Sequence, residues 1–152
     1  TMRKVNTARF GEIEIEEEKI IRFSKGIPAF EEEQEFVIIP YEEESPFVFL
    51  QSLNTAELAF LMTSPFVFFP EYQFEIDDDS IEVLGIEKEE DLLIYALLTL
   101  PGKDIKQMTA NLLAPIVINQ QNHQAKQIIL EKSEYKTKHR LFPAQDIFGG
   151  DE

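Results

Sequence analysis

Apolar and polar positions alternate along most of this chain. Glu12-Ile13-Glu14-Ile15-Glu16 alternates without a break, which predicts a strand with one buried face and a carboxylate row on the other. Strand signals also cover Arg3 to Ala8, Lys19 to Phe23, Phe36 to Pro40, Phe47 to Ser52 and Leu58 to Met62, with Phe10-Gly11 as a turn. Further strands are expected over Leu92 to Leu100, around Leu112 to Asn119, and over Gln124 to Leu130. Helix signals are few. Asp77-Asp78-Asp79-Ser80 supplies N-cap candidates, and Gly85 suits the position just past a helix end. Glu87 to Asp91 could start one more turn. Many short strands with little helix predict an all-β, mainly antiparallel, barrel-like single domain over residues 2–142. Residues 143–152, with Pro143 and Gly149-Gly150, read as a loose tail.

Two stretches depart from simple alternation. Thr109 to Asn119 reads TANLLAPIVIN, whose β-branched end favours a core strand closing a barrel. Pro115 cannot donate to a ladder, so that strand is expected at an edge or with a bulge. Pro65 to Tyr72 reads PFVFFPEY. Its four aromatics cannot all face inward from a strand, because side chains alternate. The stretch reads as a core segment between two proline kinks, and alternatively some of its aromatics form an exposed apolar patch bordered by Glu71, Glu75 and Asp77–Asp79, suited to a partner with a basic rim.

Charge adds a second layer. The net charge is −15; residues 1–101 hold 23 acids and 7 bases, and residues 102–152 hold 6 acids and 7 bases. Such a surface repels phosphate backbones and attracts basic proteins, so direct nucleic-acid binding is not expected. If the early strands form a meander, the loop with Glu31, Glu32, Glu33 and Glu35 lies at the end opposite the loop with Glu42, Glu43 and Glu44. Several local acidic surfaces are then expected rather than one wall. The chain has no cysteine, hence no disulfide framework. It has no apolar run of membrane-spanning length and no signal-peptide hydrophobic region, which predicts a cytoplasmic protein away from the membrane.

No catalytic constellation stands out. His123 and His139, the only histidines, lack a nucleophile partner at recognisable spacing and read as solvated surface groups. Asp77–Asp79 superficially suggests a calcium loop, but the sixth position lacks glycine and Lys88 stands where the bidentate Glu belongs. Neither a metal, a cofactor nor an enzymatic activity is expected. A small hydrolase would need two of the 29 acids in one cleft with raised pKa, and nothing singles out such a pair.

Four blocks in order carry a family resemblance: Gly26-Ile27-Pro28-Ala29-Phe30, Phe47 to Ser52, Pro65 to Tyr72 and Thr109 to Asn119. Together they make the chain from Met2 to Phe142 resemble the flagellar assembly factor FliW family. Ala29 stands where such proteins often have a second glycine; if the position needs positive φ, alanine is strained there.

The resemblance implies a non-enzymatic regulator, monomeric when free, with two protein ligands: flagellin and the RNA-binding translational regulator CsrA. It implies that binding CsrA relieves repression of flagellin translation, and that flagellin competes for the same protein. The alternative is an export chaperone that only shields flagellin's terminal helices, using an apolar groove built from Phe66, Phe68, Phe69 and Leu112 to Ile116. Asn111, Leu112 and Pro115 are the expected binding edge, with Phe69, Glu71 and Tyr72 nearby. Asn111 could instead satisfy backbone groups locally.

Overall fold

The first hairpin follows directly from its pattern. The computed structural model describes residues 1–142. In it β1 (Met2–Thr7) pairs antiparallel with β2 (Gly11–Glu16) as a separate two-stranded sheet. The Thr7 hydroxyl closes the turn, accepting from Phe10 N–H at 2.8 Å and donating to the Gly11 carbonyl at 2.9 Å. Glu12, Glu14 and Glu16 face solvent, while Val5 and Ile15 join Ile20 and Val37 in a small core. Arg3 and Arg22 both reach the Glu35 carboxylate, at 3.3 and 3.4 Å, tying the hairpin to the barrel.

The barrel begins with β3 (Ile21–Phe23), β4 (Glu35–Pro40), β5 (Phe47–Ser52), β6 (Ala59–Thr63) and β7 (Leu92–Thr99), each antiparallel to the next. After β8 (Thr109–Ala110) the chain returns as β9 (Ile116–Asn119) and β10 (Gln124–Gln127). β9 pairs with β7, β10 pairs with β9, and β10 closes the ring by running parallel to β3. β8 and β11 (His139–Arg140) form a flap on the far end of β7. The all-β, mainly antiparallel barrel expected from the pattern is therefore the observed one, with a single parallel pair at the closure. The acidic 31–35 connection and the 42–44 loop lie at opposite ends of β4.

The Leu112–Asn119 strand is shorter than expected, and it is not an edge. β9 starts only at Ile116, is buried along all four residues, and has β7 on one side and β10 on the other. Pro115 stands immediately before it, where the missing N–H costs no ladder bond. Pro65 to Tyr72 also differs: it opens with a helical turn, α1 (Pro65–Phe68), because Pro65 follows Ser64 at the first helical position, where proline's fixed φ is favourable. The second helix agrees with its signals. In α2 (Asp78–Leu84) the Asp77 carboxylate accepts from Ser80 N–H at 3.1 Å and Ser80 Oγ at 2.6 Å, and Gly85 ends the helix at φ 63°. Glu89–Asp91 forms the further short turn.

Candidate partner-binding surface

The sequence-selected residues fall at one corner of the barrel, in two layers. Asn111 lies between β8 and β9, and its Oδ1 accepts from the N–H groups of Leu113 and Ala114 at 3.1 and 3.0 Å. That bond pattern folds 111–115 back on itself, and it explains why a strand cannot start before Ile116. Leu112 and Pro115 are buried, so they support the corner rather than presenting a surface. Leu112 and Leu113 both donate to the Lys136 carbonyl, at 3.1 and 3.2 Å, which pins the last segment of the described chain to this loop.

Tyr72 is the hinge between the layers. Its ring packs edge-on against Tyr135 at 4.7 Å and beside Phe74 at 5.3 Å, while its hydroxyl donates to the Leu112 carbonyl at 2.7 Å. Burial, with a smaller contribution from Tyr135, pushes that hydroxyl well above the ordinary tyrosine pKa, so it stays a donor. Phe69 is half-buried against the His139 ring at 6.0 Å. Glu71 is exposed. Phe68 does not join an exposed patch; it stacks on Phe47 at 5.9 Å and meets Phe142 edge-on at 5.8 Å. Of the apolar groove expected from Phe66, Phe68, Phe69 and Leu112 to Ile116, only Phe66 faces a groove, because Leu112 and Ile116 belong to the core.

Neither histidine is a freely solvated group. His139 is half-buried, and its Nε2 accepts from Lys136 N–H at 2.8 Å. Burial, reinforced by the Lys136 charge, holds its pKa below the usual histidine value. His123 is half-buried at a turn with φ 59°. Among the described residues no group of three or more His, Asp or Glu side chains could hold a metal ion.

The other side of Tyr72 opens on an apolar groove of about 810 Å³ between α1, α2 and the start of β7. Phe66, Phe74, Ile76, Ile81, Ile86 and Leu92 line it, Glu75 and Glu89 stand within it, and no basic side chain does. Phe66 and Ile81 keep 42% and 37% of their surface exposed, so the groove opens to solvent at those two side chains. Sequence reading passed over Phe74, Ile76 and Ile81 as site residues. The alternation Gln73-Phe74-Glu75-Ile76 was the signal that two side chains of this loop share an apolar face. The lining is complementary in polarity and charge to an apolar segment with basic flanks. It presents no nucleophile and base in contact.

The chain is similar to known proteins over most of its length. The family described as FliW protein matches residues 4–141. The flagellar assembly factor FliW of Geobacillus kaustophilus is 49% identical over 140 residues, covering 92% of this chain and 96% of the relative. That of Bacillus subtilis is 46% identical over 137 residues, covering 90% and 95%. A crystal structure of the flagellar assembly factor FliW superposes with a TM-score of 0.89 at 46% identity, over 95% of this chain and all of that one.

Proposed function

The chain belongs to the FliW family, and from that premise we propose that it is a non-enzymatic flagellar assembly factor acting through two competing protein partners. One is a CsrA-type RNA-binding regulator, whose repression of flagellin translation it relieves on binding. The other is flagellin, which captures the same protein and so returns the regulator to its RNA. The switch is a pair of linked equilibria, in which either ligand lowers the free pool available to the other. The observation that carries this reading is near-full-length similarity to proteins named flagellar assembly factors.

The charge supports the basic partner. A net −15 attracts an RNA-binding surface over a Debye length of about 8–10 Å. The two acidic connections flank β4 at opposite ends, and the Glu12, Glu14, Glu16 row sits on the hairpin. Charge so divided favours binding to the regulator away from its RNA-contacting face over a carboxylate wall imitating phosphates.

A second reading is favoured by the groove: an export chaperone that shields apolar segments of flagellin without touching translation. One assay separates the two. A gel-shift of the CsrA-type regulator on a flagellin leader RNA, titrated with this protein and then with flagellin, should lose the shifted band and regain it. An undisturbed band with retained flagellin binding in a pull-down selects the chaperone.

A further inference from the structure

The groove runs along a break in the hydrogen-bonded wall of the barrel. β6 stops at Thr63 because Pro65 starts α1, so its ladder with β7 covers only Met62↔Leu97 and Thr63↔Ala96. Leu92 to Tyr95 are paired on the other side alone, with β9.

Alternation identifies the groups left over. The Leu97 carbonyl accepts from Asn111 N–H at 2.9 Å and the Asp91 carbonyl from Gln120 N–H at 2.8 Å, so both point to the β8–β9 side. Successive residues of an antiparallel strand turn their N–H and C=O groups to opposite sides. Leu93 and Tyr95 therefore face β9, and Leu92, Ile94 and Ala96 face the β6 side. Ala96 meets Thr63, and Leu92 N–H donates to the Glu89 carbonyl. The N–H and C=O of Ile94 and the C=O of Leu92 have no hydrogen-bond partner among the described residues. Across the groove the backbone groups of Phe74, Glu75 and Ile76 make no hydrogen bond among those residues either.

An unpaired edge inside an apolar groove selects the shape of its occupant. A helix satisfies its own backbone and gives nothing to the edge, whereas an extended peptide exchanges main-chain bonds with it. We propose that this seam takes an extended segment of a partner protein as an added strand. Its main chain bonds to Ile94, its alternate apolar side chains lie among Phe66, Phe74 and Ile81, and a Lys or Arg sits beside Glu75 and Glu89. The chain's own residues 143–152 carry three acids and no base, and a second copy brings another −15; the groove carboxylates disfavour both. The proposal deepens the partner-binding function above and rests on it for the partner's identity alone.

The test uses the whole protein and a synthetic peptide alternating Val with Lys and Thr. Two N-methylated copies accompany it, each blocking the amides of one strand edge while keeping every side chain. Calorimetry gives affinity, and amide exchange by NMR reports on Ile94. The expected result is slower exchange at Ile94 and a loss of about tenfold in affinity for the copy blocking the facing edge, the effect of one or two main-chain bonds. E89K should weaken the unmodified peptide as well. No binding, binding without a change at Ile94, or equal affinity for all three peptides overturns the proposal. Since the assay contains neither CsrA nor flagellin, its failure leaves the gel-shift result standing, and the reverse also holds.

Discussion

The Tyr72 hydroxyl donates to the Leu112 carbonyl at 2.7 Å, across 40 residues of sequence and inside the core. Tyr72→Phe removes the donor, keeps the ring and strands a buried acceptor. Such a loss costs about 1–3 kcal/mol, to be read as a lower urea midpoint with an unchanged slope.

Asn111 holds its loop with one oxygen and two N–H partners. Asn111→Ala should destabilise by about 1–2 kcal/mol, the usual effect of losing a side-chain cap on backbone donors. Asn111→Asp keeps the acceptor and should fold nearly as well as the parent. Equal losses in the two variants would show that the amide nitrogen matters instead.

Ala29 has φ 75° in the Gly26–Phe30 turn, the conformation that its place in the motif raised. A left-handed residue with a Cβ costs roughly 1–2 kcal/mol, partly offset by the extra chain entropy of glycine when unfolded. Ala29→Gly should raise stability by about 0.5–1 kcal/mol in thermal or urea unfolding. Gly26 is a different case. At φ 68° a Cβ there would collide with the Glu31 backbone, so Gly26→Ala should destabilise where Ala29→Gly stabilises.

His139 predicts a pH dependence. Its folded pKa lies below the unfolded value of 6.5, so the unfolded chain binds more protons between the two, and stability rises with pH there. Its contribution is intact above pH 6.5 and declines as pH falls below that value, because the half-buried ring must then carry a charge away from water and beside Lys136. Urea midpoints should drop on acidification from pH 7 into that window, and His139→Gln should flatten the drop.

The association rate with a basic CsrA-type partner should fall steeply as salt rises, while dissociation changes little. Stopped-flow measurements over a salt series give the slope. A rate indifferent to salt removes the electrostatic argument for this partner.

Most strands were legible because the local pattern and the tertiary outcome agree: Ile13 and Ile15 point inward with glutamates between them. The α2 helix was legible for the same reason, since Asp77 and Gly85 act through bonds within their own turn. What the sequence did not disclose depends on distant contacts. Leu112 looked like strand, but the Asn111 side chain and the Lys136 carbonyl claim the backbone around it. Pro115 suggested an edge, yet it precedes a strand paired on both sides. The helical turn that opens at Pro65 was hidden by the aromatic run that follows it. Histidine burial depended on the packing of Phe69 and Tyr135 against His139, which no spacing encodes. Of the residues selected for the site, Tyr72 alone lines the groove, while Asn111, Leu112 and Pro115 hold the scaffold beside it.

The parallel closure has a consequence for biosynthesis. β10, at Gln124–Gln127, is the strand that joins β3 to β9, so a ribosome must deliver most of the chain before the ring can shut. Until then β3 is an exposed edge of an apolar sheet, as is β7 before β9 reaches it, the kind of surface on which nascent chains aggregate. Closure over about a hundred residues also places folding at the slow end for domains of this size. A chain stopped short of β10 would be an open sheet rather than a smaller barrel.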